Sequence, residues 1–199
     1  MTAIEIGRLL RAGTGGFVAG CRVSQLTVPS FGALVMAQPE GDGQYKIYGL
    51  IYDIHIDDDG LVRQLVTSEN ISTAVMNDNR INRIVPVEMS VLAVGYEQDG
   101  QIRHLLPPRP PLSLDAIYLC SDQEIARFTV RLGYLRHILN AKELAIGEII
   151  AAHLQQASQA HGKNSQVWKE KATQEVITLL RDDYPTLISV LSALSDVVD

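Results

Sequence analysis

Cysteine is scarce in this sequence: Cys21 and Cys120 are the only two among 199 residues, and they stand far apart. Two cysteines cannot make the disulfide framework of a small secreted domain, and neither has the close companion that a zinc or redox motif needs. Long apolar runs are missing as well. Stretches such as Val91 to Val94 are far short of the roughly 20 residues that cross a bilayer. Met1 to Arg11 mixes charge into its apolar residues and holds no signal-peptide core. These absences predict a cytoplasmic protein that is neither secreted nor inserted in a membrane.

An excess of positive charge is also lacking. The chain carries 17 Lys plus Arg against 23 Asp plus Glu, for a net charge of −6. Split after Pro110, the balance is 9 against 12 and then 8 against 11, so both halves are mildly acidic. Backbone binding to nucleic acid depends on basic side chains displacing counterions, so this balance disfavours a broad nucleic-acid surface and leaves room only for a local patch. Recognisable catalytic sets are absent too: there is no serine nucleophile elbow, no His-Glu-x-x-His helix and no Cys/His pair at a telling distance. The reading leans away from an enzyme and implies no cofactor.

What is present is a hydrophobic fraction of 46%, enough to fill a core in one domain or two. From Gly16 to Leu106 short β-type runs alternate with turn residues. The strand candidates are 16–28, 33–37, 46–56, 61–67, 90–98 and 101–106. Asp58-Asp59-Gly60 joins the third to the fourth, and Asp99-Gly100, a pair that tolerates positive φ, joins the last two in a tight hairpin. In the 46–56 run, Tyr48, Leu50, Tyr52, Ile54 and Ile56 predict a core face, while the opposite face starts with Ile47 and Ile51 and ends polar at Asp53 and His55. Val91 to Val94 is apolar on both faces, as expected of a strand that lines a barrel and is covered from outside by helices. The segment 68–89 reads as a loop with one helical turn around Ile71 to Met76.

Four prolines in the five positions from Pro107 to Pro111 mark the clearest boundary in the chain, since proline forbids helix and ladder alike. Helical periodicity takes over after it. Ser121-Asp122-Gln123-Glu124 has the form of a capping box, and Ile125, Phe128, Leu132, Leu135 and Leu139 follow as one stripe. A second helix is expected over 141–159, stopped by Gly162. A third starts near Asn164 with Trp168, Ala172, Val176, Leu179 and Leu180 inward. Pro185 suits the first turn of a fourth with stripe Ile188, Leu191, Leu194 and Val198. The expected fold class is therefore α+β: a closed β-barrel of about six strands over 1–106, a proline-rich strap over 107–112, and an all-helical region of three to four helices over 113–199.

Several residues invite chemistry. Asp53, His55 and Asp57 alternate, so on a continuing strand they share one face, as metal or acid/base ligands would; a strand emerging into water before an acidic hairpin gives the same pattern. Gly13-Thr14-Gly15-Gly16 has the glycine content of a phosphate loop, but it lacks the Lys-Ser/Thr that closes a Walker motif and precedes a β run. Arg80 and Arg83, with Arg103 and His104 elsewhere, are the densest basic residues of the first part, and Arg109 lends the proline segment a charge. Tyr48 and Tyr52 are aromatics that a partner could use, though with Tyr45 they lack the matching Lys/Arg row of a strand-binding groove. His137, His153 and His161 fall on helices or near their ends, where surface placement or compensation of helix-end charge is expected.

Gly16-Phe17-Val18-Ala19-Gly20, Phe31-Gly32-Ala33-Leu34-Val35 and Tyr48-Gly49-Leu50-Ile51-Tyr52-Asp53-Ile54 together resemble the progression of the HAS barrel, over roughly residues 14–106. That small barrel is shared by HerA-like DNA translocases and the amino-terminal crown of rotary ATP synthase subunits. In those ATPases a nucleotide-binding domain with a Walker motif follows the barrel; here apparent helices follow, so ATP hydrolysis does not carry over. The resemblance implies a barrel used for assembly. Three functions follow as expectations: a non-catalytic interaction or assembly module, binding itself or another protein and accessory to an ATPase or DNA-processing complex; a nucleic-acid-binding barrel; and, lowest, a metal-dependent enzyme on Asp53, His55 and Asp57.

Overall fold

The computed structural model describes residues 4–22, 29–39, 44–57, 60–82, 85–141 and 144–196. Its strands are β1 (Ile4–Gly13), β2 (Gly16–Cys21), β3 (Leu34–Ala37), β4 (Tyr45–His55), β5 (Val87–Gln98), β6 (Gln101–Arg103) and β7 (Ala116–Leu119). They pair in the order β2-β1-β7-β3-β4-β5-β6, every pairing antiparallel, and β2 also pairs with β5. That extra pairing closes a ring of six strands and leaves β6 outside it, attached to β5 alone. The expected barrel is present with the expected number of strands, but its membership differs.

Two ring strands, β1 and β7, were not among the candidates. In β1 the register shifts between Glu5 and Gly7 and again between Leu9 and Arg11, and such bulges break the alternation by which a strand is recognised. β7 is four residues long and lies beyond the prolines, where it fills the slot between β1 and β3. The region after the strap therefore begins with a barrel strand and is not all helical. The strap itself carries the chain from β6 to that slot. Pro107 and Pro111 are buried, the Tyr45 hydroxyl donates to the Arg109 carbonyl at 3.1 Å, and the Arg109 guanidinium lies 4.9 Å from the centre of the Tyr45 ring.

The fourth candidate strand, 61–67, is a helix, α1 (Leu61–Thr67). Its apolar residues pair four apart, Leu61 with Leu65 and Val62 with Val66, which fits a helical face and not a period of 2. The barrel has no vacant slot for it. A second helix, α2 (Thr73–Ile81), forms within the segment read as a loop and extends the one helical turn expected there, capped by the Ser72 hydroxyl, which accepts from the Val75 amide. The expected Asp58-Asp59 turn lies outside the described residues; Gly60 begins α1 at φ 75°. The Asp99-Gly100 turn has positive φ at both residues, 52° and 76°, as its sequence requires.

After β7 come α3 (Asp122–Thr129), α4 (Leu135–Leu139), α5 (Ile146–Ala160), α6 (Ser165–Leu179) and α7 (Tyr184–Ser195), one more than the highest number expected. The Ser121/Glu124 capping box forms as read, and the stripe from Ile125 to Leu139 is divided between α3 and α4. Within α6, Trp168, Ala172 and Val176 are buried with Leu180 just beyond, whereas Leu179 is 42% exposed. On α7 the buried residues are Val190, Ala193 and Leu194; Ile188 is exposed, and Val198 lies outside the described residues.

Two hydrophobic clusters share the barrel wall. Val35, Ala37, Ile47, Ile51, Val91, Ile117 and Phe17 fill the interior, while Leu34, Met36, Tyr48, Leu50 and Val94 join the helices outside. Neighbouring residues of β3 and β4 thus alternate between two cores, which is why both faces of these strands read as apolar. Narrow clearances shape the closure. A Cβ at Gly49 would come within 2.4 Å of Val91 Cγ1 and 2.9 Å of the Leu92 carbonyl oxygen. Gly32, at φ 79°, lets α5 approach so closely that a Cβ there would meet Ala152 Cβ at 2.7 Å.

Candidate functional site

The helices are fixed to the barrel by a polar seam as well as by the outer core. Tyr48 is fully buried, and its hydroxyl donates to Glu97 on β5 at 2.8 Å. Arg127 of α3 grips the same carboxylate with two donors, one of them at 2.9 Å. Burial pushes the Glu97 carboxyl up, but the bonds from Arg127 and Tyr48 outweigh it and hold it below the usual range. Tyr48, expected as a partner-binding aromatic, is instead a structural tyrosine, because Tyr48 and Leu50 of β4 lie beneath the helices. Tyr45 is likewise 2% exposed, so neither ring is available for stacking on a strand of nucleic acid.

His153 on α5 is also inside, against the expectation of surface placement. Its Nε2 lies 2.8 Å from the Tyr134 hydroxyl and its Nδ1 3.2 Å from the Gly32 carbonyl oxygen. Since the carbonyl can only accept, Nδ1 carries the proton and Nε2 accepts from Tyr134. Burial, opposed by the bond to Gly32, lowers the pKa of His153 from its usual 6.5 to about 4. His161 is held near Thr129 and stacked on Trp168 with ring centres 4.7 Å apart.

The other sequence candidates scatter. His55 Nε2 lies 2.9 Å from Asp57 Oδ1 at an exposed strand end, and among the described residues no group of three or more His, Cys, Asp or Glu is placed to hold a metal. The run Gly13 to Gly16 is a hairpin turn between β1 and β2 with Gly13 opposite Gly16, so it does not open a helix that could cradle phosphate. It borders a cleft of about 530 Å³ that Tyr52 also lines. Arg109 is engaged with Tyr45, as described above. Arg83 lies outside the described residues. Cys21 and Cys120 are free and buried, one in each cluster, and burial raises both thiol pKa values.

Arg80 belongs to a different kind of place. Among the described residues neither α1 nor α2 has a buried side chain, and neither packs extensively on a strand or another helix. Yet Leu61, Val66, Val75, Met76 and Ile81 are all more than 40% exposed, with Val66 at 80%. Val62, Leu65, Val66, Met76, Asn79 and Arg80 line a groove of about 290 Å³ between the two helices. This arm leaves the barrel after β4 and returns to it at β5. The sequence signal for it was the four-apart apolar spacing in α1, obscured by the β-branched valines.

A second unforeseen grouping lies where β6 meets α4. Arg103, Arg131 and Arg136 line a cleft of about 440 Å³ with Ile102, His104 and Gly133. The sequence placed Arg103 and His104 together but gave no sign that Arg131 and Arg136 would join them, since β6 and α4 meet only through the fold.

No protein-family model matches the chain, and none of the curated proteins is similar to it in sequence.

Proposed function

We propose that this protein is a non-catalytic assembly module in which the α1–α2 arm docks onto a second copy or another protein. The observation that carries this reading is the arm's apolar exposure. Helices of 7 and 9 residues are too short to be stable in water without tertiary packing, and among the described residues neither has a buried side chain. Large exposed apolar side chains gathered on one projecting element are the usual mark of an interaction surface. From Leu61 to Ile81 the two helices and the turn between them carry Arg63 and Arg80 against Glu69 and Asp78, a balance that allows the same surface to meet its own copy. The HAS-barrel resemblance supports the same direction, with an accessory place in an ATPase or DNA-processing complex.

A nucleic-acid role draws less support, because Tyr45 and Tyr48 are buried and the chain is acidic overall. A metal-dependent reaction at Asp53, His55 and Asp57 has only the exposed His55–Asp57 contact in its favour.

Light scattering on the full chain, with affinity capture from its native extract, tests the proposal. Association is expected, and Val66→Asp with Met76→Asp should abolish it without changing the circular dichroism that the barrel and α3–α7 give. A strict monomer that captures no specific protein overturns it.

A further inference from the structure

The cleft at the β6–α4 junction stands out by what its arginines do not touch. Arg8, Arg11, Arg127 and Arg181 each have a carboxylate within 4 Å. Among the described residues Arg103, Arg131 and Arg136 have none, in a chain whose acidic residues outnumber its basic ones. Two of the three are held by backbone: Arg131 donates to the Ile102 carbonyl at 2.6 Å and Arg136 to the His104 carbonyl at 2.5 Å. Arg103 uses one nitrogen on the side chain of Gln101 at 3.3 Å. A guanidinium offers five N–H donors in a planar fork, so each retains free donors after these contacts. His137 reaches the same His104 carbonyl at 3.1 Å.

Among the described residues no acidic one lines this cleft. Gly133 forms part of its wall, where a Cβ would find His104 at an ordinary 3.5 Å, so the opening beside it is not needed for close packing. Buried His104 shows the local field. Burial first, then the charges of Arg131, His137 and Arg136, lower its pKa from 6.5 to about 4 despite its bond to the Phe128 carbonyl.

We propose that Arg103, Arg131 and Arg136 form a binding site for the phosphate group of a small phosphorylated molecule. Arg131 and Arg136, anchored on carbonyls, are preorganised for contact with phosphate oxygens, Arg103 adds a third guanidinium, and such charge-assisted bonds are the strong ones. A single cluster in an acidic chain suits one compact anion; a nucleic-acid backbone would need a row of cations along its track. The site is separate from the α1–α2 arm, and its test does not depend on association.

Calorimetric titration of the full chain with inorganic phosphate and with pyrophosphate, at low salt, reads the site. Saturable one-to-one binding is expected, tighter for pyrophosphate. Arg103→Gln should weaken it roughly tenfold, since one charge-assisted contact is lost while Arg103 holds no backbone group. Gly133→Asp, which places a negative charge in the wall, should weaken it at least as much. Arg181→Gln, remote and exposed, should leave it unchanged. Circular dichroism on each variant separates loss of binding from loss of fold. The proposal fails if neither anion gives saturable binding at millimolar concentration, or if Arg103→Gln and Gly133→Asp bind as well as the parent. It fails equally if single-stranded DNA binds more tightly than pyrophosphate and loses affinity with the same variants, because the ligand would then be a nucleic acid.

Discussion

Helix α5 and helix α2 both carry apolar residues, eight of 15 and four of 9, yet they occupy opposite situations. The first buries Ile149, Ile150, Ala151, His153, Leu154 and Ala157 against the barrel and its sister helices. The second buries nothing. Helical stability in this chain follows from packing: the outer barrel wall sustains α3–α7, whereas α1 and α2 bury no side chain and α2 begins at the Ser72 cap. An apolar helix that the fold does not cover is available to something else.

Substitutions sharpen this contrast. Leu154→Ala, at a position 0% exposed, should lower stability by about 3 kcal/mol in urea titration through lost transfer energy and a cavity. Met76→Ala on the arm, at 44% exposure, should change it by less than about 0.5 kcal/mol. A comparable loss at both positions would break the comparison.

Acidification is the next lever, and it acts where the helices meet the barrel. His153 and His104 are neutral in the fold, with pKa values near 4, but take up a proton near 6.5 once unfolded. Below pH 6.5 the unfolded chain therefore binds more protons than the folded one, and stability present above that pH is lost progressively as pH falls toward about 4. For His153, 1% exposed, the loss amounts to at most about 3 kcal/mol. Urea midpoints measured from pH 7.5 to 4.5 should fall, and should fall less steeply in His153→Gln. Parallel curves for parent and variant would remove His153 from the account.

Smaller effects test the closure and the seam. Gly49→Ala should cost about 2 kcal/mol, because its Cβ would press on Val91 inside a packed barrel. Tyr48→Phe should cost about 1 kcal/mol by withdrawing a donor from the buried face of Glu97. If Tyr48→Phe is neutral, Arg127 alone satisfies that carboxylate.

The same two-sided burial explains what could be read from the chain. Val91 to Val94 and the Tyr48–Leu50 face announced a wall with a core on each side, and Ser121 with Glu124 announced the start of α3, because these signals are local and periodic. Strands β1 and β7 were illegible for the opposite reason: bulges scramble the period of one, and the other has four residues behind a proline screen. Segment 61–67 misled because leucine and valine suit either state, and only the filled barrel excludes it from the sheet. The arginine cleft was half legible, since Arg103 and His104 are neighbours in sequence but Arg131 and Arg136 reach them only through tertiary packing.

Hydrogen exchange resolved to individual segments tests the arm most directly, in dilute monomer and in the associated state. Amides of α5 should be strongly protected in both, while 61–67 and 73–81 should exchange rapidly in the monomer and slow markedly on association. Arm amides as protected as α5 in the monomer, or unchanged between the two states, would contradict this expectation.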